Sequence, residues 1–442
     1  MMLELTLNKF KRQKATCSLV AARLWRLLRS YRIDFGLLFA SSLRSMHSRR
    51  SRQLGGAGDK PRKILVIRLD AMGDLVMTTL LFRELKLRYQ NAVITAVVQR
   101  GNKDLLETNP YVDRILHPPE VNKSRVLQLL RREYSVTKLY WKHLSEEAFD
   151  IALQPRVGPD YYGANLLLKL VDAPVSVKYA DIPQKGPGER IRVRAFRSMT
   201  NLPRPESQHE VLSNIELAER LTCRPNTSHP EIFLTESDLN YATGVVTNSK
   251  PDSVIISVAF GARAKRRSWP LERWAAVIHS LAKHRSIFAL LICSKDEEKD
   301  GKQLRSMLHV ESRLLCGARL REAAACLKAS NLLLGPDSGL AHLAAGVGCR
   351  AVVVSPHPAD GDPNHENSPV RFGPYSHGSR VIQPKAGIPP CQNGCDAVEA
   401  HCILQITAEE VSAACEEILR SLSIEQHRSD SPTQRISDES IA

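Results

Sequence analysis

No stretch of eighteen or more apolar residues occurs in the chain, so nothing in it reads as a segment able to span a bilayer. The basic, apolar, small-residue succession of a secretory signal is also missing, and without it the ten cysteines read as reduced thiols of a cytosolic protein. There is no G-x-G-x-x-G: a single glycine, Gly73, follows the first apolar run. That absence argues against a nicotinamide-dependent oxidoreductase, which two α/β domains would otherwise suggest. Few aromatics interleave the basic residues of the N-terminal arm, where most of the excess charge lies, and this argues against a nucleic-acid binder despite the formal charge of +15.

What is present fits two domains of ordinary size plus extensions: 442 residues, 43% of them apolar, are too many for one compact core and enough for two. The charge is uneven. Residues 1–60 hold thirteen Lys and Arg against three Asp and Glu, a net of +10, which leaves +5 for the other 382 residues. Within this arm the spacing predicts a helix over Leu19 to Phe39, with Val20, Leu24, Leu27, Leu28, Tyr31 and Phe35 on one stripe and Arg23, Arg26 and Arg29 opposite. Such a helix suits the headgroup region of an anionic membrane, or equally the body of the protein itself. Residues 41–60 read as a flexible linker and the residues after 424 as a disordered tail.

From Lys63 onward strands alternate with helices, which implies parallel sheets. A strand at Ile64–Ile67 leads through Gly73 to a helix capped by Asp74 and running to about Tyr89. Further strands are expected at Val93–Val98, Val112–Leu116 and Asp150–Leu153, with helices over Tyr161–Val171 and Gln208–Leu221 and a charged helical insert at Lys123–Glu147. The second half gives strands at Val254–Val258, Ile287–Ile292, Asn331–Leu334 and Ala351–Val354. Its helices start at Leu271, after Asp296 and at Leu320, with a last one from Ile406 to Leu422.

The stretch Asn331 to Gly348, NLLLGPDSGLAHLAAGVG, organises the chemistry. An apolar strand is stopped by Gly-Pro, Ser338 stands where a helix N-cap belongs, and Gly339 lets a ligand approach the backbone. Unpaired N–H groups beside the positive end of a helix dipole make a seat for a phosphate. Asp337 could accept from sugar hydroxyls and His342 donate to a diphosphate, although Ser and Asp also cap ordinary helices. The turn GARAKRRSWP, Gly261 to Pro270, packs Arg263, Lys265, Arg266 and Arg267 into five residues after a buried strand, which suits a diphosphate or a plain solvated loop. Asp74 stands at the carboxyl edge of a parallel sheet, where it could act as a general base or simply cap its helix. Arg68, ending the same strand, could meet negative charge or neutralise Asp70. Cys391, Cys395 and Cys402, spaced C-x3-C-x6-C with His401 adjacent, could hold zinc, but the spacing is not that of a standard finger and neighbouring ligands at 401 and 402 are awkward.

Two of these pieces, D-S-G-L-x-H-L-A-A from Asp337 and R-L-D-A-M-G-D from Arg68, resemble the two signatures of glycosyltransferase family 9, the lipopolysaccharide heptosyltransferases. The resemblance implies an α/β protein of the GT-B type: two Rossmann-like doubly wound domains facing across a cleft. They would follow the basic arm of residues 1–60, at about 61–235 for the acceptor and 250–405 for the nucleotide sugar, with a terminal helix at 406–424 crossing back. It implies a metal-independent inverting transferase with no cofactor, moving heptose from ADP-heptose onto a lipopolysaccharide core or related anionic glycan, or another nucleotide sugar onto another acceptor. Asp74 would be the catalytic base. Arg68, Gly73, Lys265, Arg267, Glu298, Asp337, Ser338, Gly339, Leu340 and His342 would bind substrate, with Glu298 chosen among three acids for the nucleotide ribose. Where the family has lysine two places before Trp-Pro, this chain has Arg267. The cysteines resemble a cluster in some family members and are taken as structural rather than as a metal site. The enzyme would work in the cytoplasm, in peripheral contact with the inner membrane through residues 9–40.

Overall fold

A computed structural model describes residues 61–120, 131–180, 200–203, 205–247, 249–262, 264–391, 393–395 and 397–429. The amphipathic arm, Arg263, the start of the charged insert and the last part of the tail lie outside these residues. By packing, the chain forms two units. One holds the residues up to Leu69, Asn91–Arg100 and Leu116–Arg204, and the other Asp70–Gln90, Gly101–Ile115 and Pro205 onward.

The first sheet is built from β1 (Lys63–Arg68), β2 (Val93–Val98), β3 (Arg114–Leu116), β4 (Ile151–Gln154), β5 (Val175–Tyr179) and β6 (Thr200–Leu202), in the order β3-β2-β1-β4-β5-β6. β1 pairs in parallel with β2 and β4, β4 with β5, and β5 with β6. Helix α1 (Met72–Arg88) connects β1 to β2 but is packed with the second unit. The insert forms α2 (Arg131–His143), and α3 (Ala164–Val171) follows β4. Leu65, Ile67, Val97 and Ala152 from alternate strand positions meet Val136, Leu139 and Leu166–Leu168 of these helices in one core.

In the second unit α4 (Glu210–Arg220) and α5 (Glu236–Val246) precede the sheet. Its strands are β7 (Val254–Ala259), β8 (Ile287–Cys293), β9 (Glu311–Cys316), β10 (Leu332–Pro336), β11 (Ala351–Val354) and β12 (Arg380–Ile382). The order β12-β11-β10-β7-β8-β9, all pairs parallel, read from the other edge is the order of the first sheet. The strands alternate with α6 (Leu271–Ala282), α7 (Glu298–Met307), α8 (Leu320–Lys328), α9 (Gly339–Gly346) and the single turn α10 (Pro369–Phe372). Ile256, Val258, Ala289, Leu291, Leu332, Leu334, Val352 and Val354 point to one face. There they meet Trp274 and Ile278 of α6 and Val411, Cys415 and Ile418 of the last helix, α11 (Ala408–Ser429).

Three local expectations change. Asp74 is not the cap residue of α1: Ala71 is, and Asp74 sits three places into the helix, where its carboxylate accepts from the Ala71 N–H at 3.1 Å. Gly335–Pro336 does not stop β10 but forms its last two positions, paired with Val353 and Val354. The missing side chain of Gly335 admits Ala259 of the neighbouring strand. And α11 runs on to Ser429, past the expected end at 424, because Arg350 bonds Ser421 (2.9 Å) and both carboxylate oxygens of Glu425 (2.7 and 2.6 Å).

Candidate functional site

Both sheets reverse direction beside their first strand, the place where open α/β sheets hold ligands. In the second sheet that point lies between β7 and β10. The loop after β7 carries the basic turn, and the loop after β10 carries Asp337 and Ser338 into α9. Ser338 is the N-cap with extended backbone (φ −148°, ψ 169°), yet its hydroxyl does not cap. The Oγ is buried without a hydrogen-bond partner among the described residues. Of the amides opening α9, Ala341 N–H donates to the Ser338 carbonyl at 3.1 Å, while those of Gly339 and Leu340 have no acceptor within the helix and stand beside the hydroxyl at the helix start.

Arg267 fixes one wall of it. Its Nη1 donates to the Asp337 carbonyl at 2.8 Å and lies 3.5 Å from the Asp337 carboxylate, while Nη2 donates to Asn367 Oδ1 at 2.6 Å. A guanidinium fork reaches both partners at once, which the ammonium point charge of lysine would not. Lys265, on the same turn, points elsewhere: its Nζ is 3.1 Å from Glu399 in an exposed pair.

The opposite wall is the start of α1. A Cβ on Gly73 would collide with the His342 ring, and one on Gly339 with the Met72 methyl, so both glycines are there to let two helix N-termini touch. His342 is 6% exposed with Nδ1 lacking a hydrogen-bond partner. Its burial lowers its pKa, against the opposing pull of Asp337 and Asp74, while Arg267 lowers it further. The lowered pKa favours the neutral imidazole, a hydrogen-bond donor that brings no charge of its own. Asp74 is half-buried and near enough for its charge to act on His342.

Asp74, Gly73, Arg267, Asp337, Ser338, Gly339 and His342 thus gather in the second unit, with Leu340 next along α9. Arg68 belongs to the first unit, wholly buried at the end of β1. Glu298 is exposed and paired with Lys302 at 2.7 Å. The acid beside the basic loop is Glu297, whose carboxylate occupies the space a side chain on Gly261 would need and also accepts from Ser294 N–H and Oγ at 2.9 and 2.7 Å.

Sequence reasoning missed Asn367 and His209. His209 N-caps α4, its Nδ1 accepting from Val211 N–H at 3.2 Å and its Nε2 donating to the Gly373 carbonyl at 2.9 Å. Its pKa is pushed down to about 4, chiefly by burial, against the Gly373 bond and with help from His342 and Arg371. A lone His before a helix is a faint capping signal. Nothing marks Asn367, which sits in a loop a hundred residues from its partner.

A family model for glycosyltransferase family 9 (heptosyltransferase) matches residues 140–393. The chain is 20% identical over 329 residues to the lipopolysaccharide core heptosyltransferase OpsX of Haemophilus influenzae, covering 73% of this chain and 85% of that protein. Its fold superposes on a family 9 glycosyltransferase from Veillonella parvula with a TM-score of 0.64, at 18% identity, covering 83% of this chain and all of the other. It likewise superposes on the ADP-heptose lipopolysaccharide heptosyltransferase II of E. coli with a TM-score of 0.59, at 20% identity over 82% of this chain and 99% of that one. Two parallel six-stranded sheets in the same order, a family match over more than half the length and these neighbours agree: the chain is a GT-B-type glycosyltransferase and belongs to glycosyltransferase family 9, the heptosyltransferases.

Proposed function

We propose that the protein transfers heptose from ADP-heptose, with inversion, onto a sugar of a lipopolysaccharide core or a related anionic glycan. The gathering of Asp74, His342, Asp337 and Arg267 around the start of α9 carries this reading. Asp74 takes the proton of an acceptor hydroxyl as the hydroxyl oxygen bonds to the anomeric carbon, while the bond from that carbon to the β-phosphate oxygen breaks and ADP leaves with the electron pair. The amides of Ser338, Gly339 and Leu340, the Ser338 hydroxyl, neutral His342 and Arg267 stabilise the charge growing on the diphosphate. Asp337, held by Arg267, orients the sugar, and Glu297 rather than Glu298 faces the nucleotide ribose. Arg68 supplies fixed positive charge within the first unit, and Lys265 is a reserve cation once Glu399 lets go.

The net +10 of residues 1–60 supports a cytoplasmic enzyme held at an anionic membrane surface, where a lipid-linked acceptor would be found. No helix among the described residues is long and apolar enough to cross a membrane. The donor is supported by the relatives described above, a lipopolysaccharide core heptosyltransferase and an ADP-heptose lipopolysaccharide heptosyltransferase, whose likeness is in fold and family.

Asp74→Asn decides the central assignment. Asparagine still accepts from the Ala71 N–H, so the helix start survives, but it takes no proton. Turnover should fall by about 10²- to 10⁴-fold, with binding of ADP-heptose retained in calorimetry. Wild-type turnover in a folded Asp74→Asn protein removes the base.

A further inference from the structure

Among the described residues between β12 and α11 the chain makes one 3-10 turn, Cys402–Gln405, and otherwise no regular structure, yet it is drawn tightly together. Cys391, Cys395 and Cys402 are 3%, 3% and 0% exposed and, with Ala397, form a small core of their own that contains almost nothing but sulfur. His401 joins them. The three Sγ atoms and one imidazole nitrogen all lie within 4.8 Å of one another, with His401 Nδ1 3.6 Å from Cys391 Sγ and 3.3 Å from Cys402 Sγ.

Ligands bound at about 2.0–2.3 Å around a tetrahedral zinc are separated from each other by roughly 3.3–3.8 Å. The separations of His401 Nδ1 from the Cys391 and Cys402 sulfurs fall in that interval. Neighbouring positions 401 and 402, awkward by spacing alone, converge because the backbone at His401 (φ −142°, ψ −93°) turns the two side chains to one side. Weak S–H donors alone give little to offset ordering a loop of this length, whose local core lacks large apolar side chains.

We propose that Cys391, Cys395, His401 and Cys402 bind one zinc ion in a closed, four-coordinate structural site, and that the ion holds this loop against the basic turn of the nucleotide-sugar site. Binding releases the thiol protons and leaves no open coordination position for chemistry. The segment just beyond the ligands explains the consequence. The carbonyls of Leu404 and Ile406 accept from Arg273 at 2.8 and 2.6 Å, Ile406 also from Trp269 Nε1 at 3.2 Å, and Glu399 pairs with Lys265. Trp269 and Arg273 follow directly on Lys265–Arg267, so a loop pinned by metal fixes the turn that carries Arg267.

The test uses the full chain, purified without a histidine tag or chelator. Elemental analysis should find about one zinc per chain. Cys402→Ser and His401→Gln should lose most of it, while Cys316→Ser, a thiol outside the cluster, and Asp74→Asn should keep it. Replacing the metal with cobalt should give the ligand-field bands of a tetrahedral thiolate site. Retention of zinc by both ligand variants, a wild-type protein that binds neither zinc nor cobalt, or a disulfide among these cysteines in peptide maps of unreduced protein would each overturn the proposal. Should the variants fail to fold, the wild-type zinc content and cobalt spectrum still decide. Because Asp74→Asn separates turnover from metal content, loss of the glycosyl-transfer reading and loss of the zinc site give different results.

Discussion

Gly73 shows how one missing side chain serves the site. It is a buried residue in the first turn of α1, where alanine would ordinarily raise helix stability by up to about 1 kcal/mol. Here the added methyl would meet the His342 ring at its Cδ2, and that ring is itself only 6% exposed. Overpacking of that kind costs about 1–3 kcal/mol, so the clash outweighs the propensity. Gly73→Ala should therefore destabilise the protein in urea titration and lower turnover, and adding His342→Ala should recover most of the stability but not the turnover. Equal losses in the single and double variants would mean that the ring is not what the glycine accommodates. Arg267 makes the complementary case: its two amino groups serve Asp337 and Asn367 at once, so the departure from lysine matches a geometry that only the fork satisfies.

At the scale of elements, α4 depends on a histidine that must stay neutral. Protonating His209 would put a hydrogen on Nδ1, the atom that accepts from Val211 N–H, and the charge of Arg371, joined by His342 once that ring is protonated, adds repulsion. In the unfolded chain this group titrates near 6.5, in the fold at about 4, so the unfolded state takes up more protons as pH falls between these values. Stability from this residue is complete above pH 6.5 and is lost on the way down to 4, by about 3 kcal/mol. Denaturant titrations at pH 7.5 and 4.5 should show a smaller acid loss in His209→Gln than in the wild type, and parallel losses would sink the claim. None of this was readable beforehand, whereas the strands β1, β2, β7, β8 and β11 were, because buried parallel strands are unbroken apolar runs. The short strands β6 and β12 and the alternating β9 offer no such run, with three residues each or every second one facing outward. β5 hid behind Lys178, a cation only 1% exposed inside a strand. α5 carries its signal in the sequence, since Thr235 and Asp238 form a reciprocal cap at its start.

In the whole molecule the same strand order occurs twice, but the groups that would bind a nucleotide sugar belong to one unit: the loops after β7 and β10 and the first turn of α1. The site's residues were legible where a sheet edge, a glycine and a polar side chain fall close together in sequence, as at Asp74 and Ser338. They were not where two loops far apart in the chain supply partners, as at Asn367 and Gly373. This placement predicts where a donor makes itself felt. A ligand at a hundred times its dissociation constant stabilises the state that binds it by about 2.7 kcal/mol, which slows the exchange of amides that open with that unit by about a hundredfold. ADP-heptose should thus protect the amides around 261–267 and 338–342 directly, and those of β8 and β10 through linkage. NAD at the same concentration should protect none of them. If β4 and β5 gain as much protection as β8 and β10, the two units open as a single body. If the amides of 338–340 exchange no more slowly with ADP-heptose than without it, the start of α9 is not the seat of the diphosphate.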